Sequence, residues 1–428
     1  MKRTIIILLC LSLAVGFVFA GTNKDTSPGT VTLRMSWWGG DSRHEATLNA
    51  IEKFEAKYPN IDVKAEYTGW DGHLQKVTTQ LGGGTAPDVM QINWNWLVLF
   101  SKSGTGFYDL NKVAAEVGLD NYTADYLKYV TIDGKVNGLP VSLTGREFYW
   151  NKETFEMFGA EYPKTWDELF ALGAKFGEGY YPLDLSEQDA ILLGSTYVEQ
   201  KTGRIMISPD GQLEYTLADF EELLGFYKKL QDMGVTEGIK VRNAEGGGRN
   251  APLHQMQKYL QGKFAGVLTW DSAYAKYANP LAETNQTLEL GSLPIMDGAK
   301  SKGWIVKPSM LFCINKDTKY PKEAAMLINF LLNDPDGVKA LGLSRSIPVS
   351  KSAYNTLVAD GLIKGVAVDG LQLALANAGR GYSPYLENPQ IAELTYQAIE
   401  DLAYETDTVA NIAKRLYDNV KATLDKVR

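Results

Sequence analysis

The chain has 428 residues, with 43 Lys and Arg against 51 Asp and Glu and a net charge of −8. No cluster of Lys and Arg stands out, which argues against nucleic acid or an anionic membrane as partner, because both need concentrated positive charge. A chain of this length buries enough core to fold without disulfides and suggests two domains or one large one.

At the start, Lys2 and Arg3 precede an apolar run from Ile5 to Ala20 that ends on small residues. Its roughly 16 residues fall short of the ~20 that span a bilayer, so the run reads as a secretory signal cleaved after Ala20. Cys10 sits inside this run and no Cys closes it, which predicts a soluble periplasmic protein without a lipid anchor. After cleavage Cys313 stands alone and no intrachain disulfide is possible.

Residues 21–30 are small and polar and read as a disordered leader. Val31, Leu33 and Met35 alternate as a strand running into Trp37 and Trp38. A Gly-Gly turn follows, and Asp41 or Ser42 caps a helix with apolar positions at Leu48, Ile51, Phe54 and Tyr58, stopped by Pro59 and Asn60. Ile61, Val63, Ala65 and Tyr67 alternate as a second strand. A helix from about Gly72 to Leu81 ends at three glycines, and Asp88 to Ile92 reads as a buried strand. Strand, helix, strand, helix, strand predicts a parallel sheet. Further on, Thr165 to Glu168 fits a capping box before a helix reaching Phe176. Thr216 to Met233 and Tyr320 to Leu332 read as helices, and Phe264 to Leu268 and Met310 to Ile314 as strands. Two helices, roughly Gln390–Tyr404 and Val409–Val427, close the chain, with no internal repeat, low-complexity stretch or long linker.

Catalytic signatures are scarce. His44, His73 and His254 fall in no metal-binding spacing, no G-x-S-x-G elbow occurs, and Gly82-Gly83-Gly84 continues into Thr85 and not into Gly-Lys. No metal or cofactor is expected. A glycosidase carboxylate pair stays open, since sequence alone does not place two carboxylates face to face. Aromatic residues are plentiful, with nine Trp and 23 Tyr. Trp37, Trp38, Trp94, Trp96, Trp150, Trp270 and Trp304 sit at or just beyond predicted strand ends, where open α/β sheets bind ligands. Aromatic faces suit the apolar faces of sugar rings.

Five motifs in order resemble the extracellular solute-binding proteins, family 1, of ABC sugar transporters. They are WWGGDSRH from Trp37 with the helix end EAKYPNI, then GGTAPDVMQINWNWL from Gly83, and GLPVSLTGREFYWNKETF from Gly138. EYPKTWDEL from Glu161 and INFLLNDPDGVKALGLSRSIPVSKSA from Ile328 complete the set. WWGGDSRH, EYTGWDGHL, QINWNWL with FSKSGTGFYDL, and LGLSRSIPVS together resemble a narrower group, the periplasmic oligogalacturonide-binding proteins, which carry pectin fragments. The glycine-rich NAEGGGRNAP stretch from Asn243 departs from that pattern.

The resemblance implies a two-lobed α/β periplasmic-binding-protein fold of type II, with a ligand cleft between lobes joined by hinge crossovers. Lobe one is expected at about 31–143 plus 273–316 and lobe two at about 144–272 plus 317–428. It further implies a monomer that closes on an oligosaccharide and delivers it to ABC permease subunits in the inner membrane. A uronate chain needs cationic donors, and the candidates are Arg43, Arg146, Arg249, Lys307, Arg345 and Arg380. Trp38, Trp94, Trp96 and Trp270 are expected to stack on sugar rings, with Asn93, Asn95 and Asp271 at hydroxyls. Asp41 and Asp271 suit a neutral sugar hydroxyl or a helix cap better than a carboxylate, so a neutral oligosaccharide remains a second ligand class. A secreted polysaccharide-degrading enzyme and a chemoreceptor adaptor remain as other functions.

Overall fold

The computed structural model describes residues 29–246, 248–249 and 251–427. The predicted signal and nearly all of the predicted leader lie outside these residues. Among the described residues no helix is long and apolar enough to cross a membrane.

The chain opens with β1 (Val31–Trp38), α1 (Asp41–Lys57), β2 (Ile61–Thr68), α2 (His73–Gly82) and β3 (Val89–Asn93). β1 pairs in parallel with both β2 and β3. A short β4 (Leu139–Pro140) then leads into the long, buried β5 (Leu143–Asn151). The helices α3 (Trp166–Ala171), α4 (Glu187–Thr202) and α5 (Leu217–Asp232) follow, and then β6 (Gly266–Trp270), β7 (Leu288–Leu290), β8 (Val306–Pro308) and β9 (Met310–Ile314). α6 (Pro321–Leu332), α7 (Pro335–Leu341), α8 (Val366–Ala376), α9 (Pro389–Ala403) and α10 (Val409–Val427) complete the frame.

Two sheets result. The first runs β2-β1-β3-β9-β4, and the second β8-β5-β6 with β7 also on β5. The expected parallel order holds for β1 to β3, but β9 joins β3 antiparallel and every pairing of β5 is antiparallel. The sequence pattern is blind to this, because direction is set by where the chain crosses and not by alternation.

The capping box forms at Thr165 as predicted, closed by Glu168, and α5 starts after Thr216, whose amide donates to Asp219 at 2.7 Å. The helix after Thr165 is shorter than expected, turning 3₁₀ at Leu172–Ala174. β6 lies two residues later than predicted. Gly40, and neither Asp41 nor Ser42, is the N-cap of α1. Leu48 is exposed, and α1 buries Thr47, Ala50, Ile51 and Phe54 instead.

The lobes meet at adjacent crossovers. The chain leaves the first sheet through Val141 and Ser142, between β4 and β5, and returns through Ser309, between β8 and β9. The two crossovers are tied by Ser309 N to Ser142 O at 3.1 Å, Val141 N to Met310 O at 3.0 Å and the Ser142 and Ser309 hydroxyls at 2.8 Å. A third pass, after α7, lays Pro348 beside Ser142. This division differs from the expected one at two places. Within the stretch expected in lobe one, residues 273–308 carry β7 and β8, which pair with β5 of the second sheet. α6 and α7 pack with the first sheet and α1, where Phe54 meets Phe330 at 5.5 Å. The chain therefore returns to the first sheet at Ser309, two strands after the expected return at about residue 273, and the helices α6 and α7 that follow pack with that sheet.

Phe54 is fully buried in the lobe-one core between Tyr58 and Phe330. Phe54→Ala should cost about 3–5 kcal/mol through lost burial and a residual cavity. Urea denaturation reads this as a lower midpoint.

Candidate functional site

The ends of β1, β2 and β3 present aromatic side chains on the lobe-one side. Trp38, Trp70 and Trp96 form a box with ring centroids 5.2, 5.6 and 5.7 Å apart. His73 closes it, 5.3 Å from Trp38, its Nδ1 bonded to Thr68 Oγ1 at 2.8 Å. Trp38 and Trp96 are buried, whereas Trp70 is 52% exposed and offers the box's open face. Trp94 turns away from the box and donates from Nε1 to Tyr129 O at 2.8 Å. Asn93 and Asn95, both half-buried, bond each other at 2.7 Å.

On the second sheet, Trp270 at the end of β6 carries two cations. The Arg146 guanidinium lies 5.0 Å from its ring and the Lys307 ammonium 4.9 Å. Each cation already has an acid. Arg146 pairs with Asp189 and Lys307 with Glu387. Asp189 is held by the start of α4, where its other oxygen accepts from the Ser186 hydroxyl at 2.7 Å in a capping box. Tyr382 lies beneath Lys307 at 5.4 Å and reaches Trp94 of lobe one at 6.3 Å, so the two walls meet there.

Behind Trp270 the second sheet buries two carboxyls. Asp271 accepts from Thr144 Oγ1 at 2.7 Å, Gly145 N at 2.8 Å and Ser346 Oγ at 3.2 Å. Burial nevertheless pushes it up to about 6. Glu147 is fully buried and pushed up to about 9, first by burial and then by the charge of Asp271. A neutral Glu147 spares the strand a second anion beside Asp271.

The predicted site residues thus separate into groups. Trp38 and Trp96 share the aromatic box, and Arg146, Lys307 and Trp270 share the opposite wall. Arg43, Asp271 and Arg345 line a recess of about 310 Å³ beside the hinge. Arg249 is held by Glu393 and Glu400, at 2.6 Å each. Arg380 pairs with Glu214 on the exposed surface. Asp41 stands exposed in the first turn of α1. Trp37, Trp150 and Trp304 are core residues. Sequence reasoning passed over Trp70, although it lies two residues beyond β2, the position that singled out the other tryptophans. Tyr382, Glu387 and Asp189 were also missed. Only the capping pattern from Ser186 to Asp189 marked any of these three in the sequence. Among the described residues no group of three or more His, Cys, Asp or Glu is placed to hold a metal.

The sequence matches the model of the bacterial extracellular solute-binding proteins over residues 40–337. A solved periplasmic oligogalacturonide-binding protein from Yersinia enterocolitica, in complex with saturated digalacturonic acid, is 43% identical with a TM-score of 0.83, covering 93% of this chain and 99% of that one. A periplasmic solute-binding protein from Pectobacterium atrosepticum is 40% identical with a TM-score of 0.87, over 93% and 100% of the two chains. A de novo designed cysteine esterase is 42% identical with a TM-score of 0.86, over 94% and 100%.

Glu147 gives a pH test. Its folded value of about 9 lies above the ordinary 4.5. Folding therefore favours the protonated form, and stability is lost as pH rises through that window. Glu147→Gln removes the loss, so its stability relative to wild type should climb steadily from about pH 5 to about pH 8 in urea unfolding. A difference that stays flat with pH contradicts a neutral buried Glu147.

Proposed function

This chain belongs to the bacterial extracellular solute-binding protein family, and we propose that it captures an acidic oligosaccharide, an oligogalacturonide, between its lobes and passes it unchanged to a membrane permease. The observation that carries this reading is the pair of groups at the ends of the two sheets, an aromatic box on the first and a cation-bearing tryptophan on the second. The 43% identity to a protein bound to digalacturonic acid supports the ligand class. Trp70 supplies a ring-sized apolar face to a sugar. Lys307 and Arg146 supply charged donors over Trp270, where a uronate oxygen competes with Glu387 and Asp189 for them.

Binding would draw the lobes together about the crossovers at Val141–Ser142 and Ser309. Contacts to both walls exist only when the lobes approach, so ligand favours the closed form by its differential affinity. A permease that reads the closed surface would then receive only loaded protein. In this reading the chain acts as a monomer in the periplasm after loss of its signal, and needs no metal or cofactor.

An esterase of the designed kind needs a reactive thiolate. Cys313 is fully buried in the strand β9, and burial holds its thiol well above the ordinary range. That supports binding without chemistry. A neutral oligosaccharide is the second reading, favoured by one observation: Arg146 and Lys307 already carry acidic partners.

Melting curves with digalacturonate, trigalacturonate and neutral xylo-, manno- and malto-oligosaccharides separate the two. A ligand that binds only the folded state raises the melting temperature, and the uronates are expected to do so. A rise with neutral sugars alone rejects the uronate reading. Trp70→Ala should weaken digalacturonate binding about tenfold, as loss of one stacked ring, with little change in the melting temperature of the free protein.

A further inference from the structure

Four of the six candidate basic residues have an internal carboxylate. Arg146 has Asp189, Lys307 has Glu387, Arg249 has Glu393 and Glu400, and Arg380 has Glu214. Arg43 and Arg345 are different, because their hydrogen-bond partners are neutral oxygens. Arg345 is 3% exposed and donates from Nε to Gln91 Oε1 at 2.8 Å and from Nη2 to Thr47 Oγ1 at 2.9 Å. Its plane lies over Phe312 at 5.4 Å, and its Nη1 has no partner. Arg43 donates to Ser344 O at 2.9 Å and Trp38 O at 3.3 Å.

Burying one guanidinium without a counter-ion is costly, and burying two side by side adds their repulsion. The closeness is plain in Arg345, which burial and the charge of Arg43 together hold well below the ordinary range. Both line the 310 Å³ recess by the hinge, which is of the size that small ligands occupy. The other charged groups on its wall are Lys364 and Asp271. Three cations thus face one carboxylate, and that carboxylate is already met by Thr144, Gly145 and Ser346. The loop is shaped for this. Ser346 takes a left-handed φ of 69°, which a non-glycine residue adopts at a cost, and so reaches Asp271. Ser344 Oγ, also on the recess wall, is buried without a partner.

We propose that this recess is an anion subsite, in which Arg43 and Arg345 receive one carboxylate of the captured oligosaccharide. The proposal rests on the uronate reading above and adds where the charge is read. Lys307 and Arg146, already paired, orient the sugar over Trp270, while the two unpaired guanidiniums supply the charge selectivity. Because the recess is walled by Ser309 and Met310 of one crossover and by Asp271 and Ser272 of lobe two, an anion there touches both lobes next to the hinge. Charge recognition and closure are then one event.

The test is calorimetric titration of the mature protein with digalacturonate and with its dimethyl ester, which keeps the rings and removes the charges. Wild type should prefer the acid. Arg43→Met should weaken the acid by about tenfold or more and leave the ester within about twofold. Arg345→Lys keeps the charge but loses the fork, and should weaken the acid by an intermediate factor. Equal weakening of acid and ester, or unchanged affinity for the acid, overturns the subsite while leaving the uronate reading intact. Wild type that binds neither ligand, or binds the ester better, overturns the uronate reading and the subsite with it. Should Arg43→Met melt far below wild type, Arg43→Lys and Arg345→Lys carry the same comparison, and equal acid-to-ester ratios in wild type and both variants overturn the subsite.

Discussion

Ser142 and Ser309 hold two antiparallel crossovers side by side, hydroxyl to hydroxyl and amide to carbonyl. The aromatic and cationic groups of the candidate site are placed relative to that joint. Trp38, Trp70 and Trp96 hang from the ends of the first sheet on one side of it, and Arg146, Trp270 and Lys307 from the second sheet on the other. β5 begins and β8 ends within a residue or two of the joint, so a small change in the backbone there would move one sheet relative to the other. Rigid sheets with a short, hydrogen-bonded joint suit a protein whose work is to close on something.

Charge is distributed around this joint with evident economy. Buried cations deeper in lobe two have close acids, as in the Arg242 and Asp184 pair at 2.9 Å. A buried acid without a strong cationic partner, Glu147, stays protonated. Arg43 and Arg345 break the pattern, and they do so at a recess and not in a packed core. Unpaired buried charge is tolerated where function needs it and is otherwise removed by pairing or neutralisation.

Much of the fold was legible because it rests on local chemistry. Alternation gave β1 and β2, and Thr165 with an acid three residues on marked the start of α3. Strand direction and the lobe boundaries were not legible, because both depend on where a continuous chain changes sheet. Nothing in the sequence of residues 306–314 separates β8, in one sheet, from β9, in the other, apart from the single Ser309. The aromatic part of the site was half legible. Strand ends pointed to Trp38 and Trp96 but equally to Trp150, which the second sheet buries completely. The charged part was least legible. A lone Arg in sequence carries no sign of its partner, so Arg249 and Arg345 looked alike, yet one is bound by acids more than 140 residues away and the other by neutral oxygens.

Lobes that close about one joint on an intact acidic oligosaccharide would make the chain more compact when loaded. Small-angle X-ray scattering of the mature protein during titration with digalacturonate tests it most directly. The radius of gyration should fall and saturate at one ligand per chain, with the sugar recovered at its original length. Saturable binding with an unchanged radius, or recovery of shortened sugar, contradicts it.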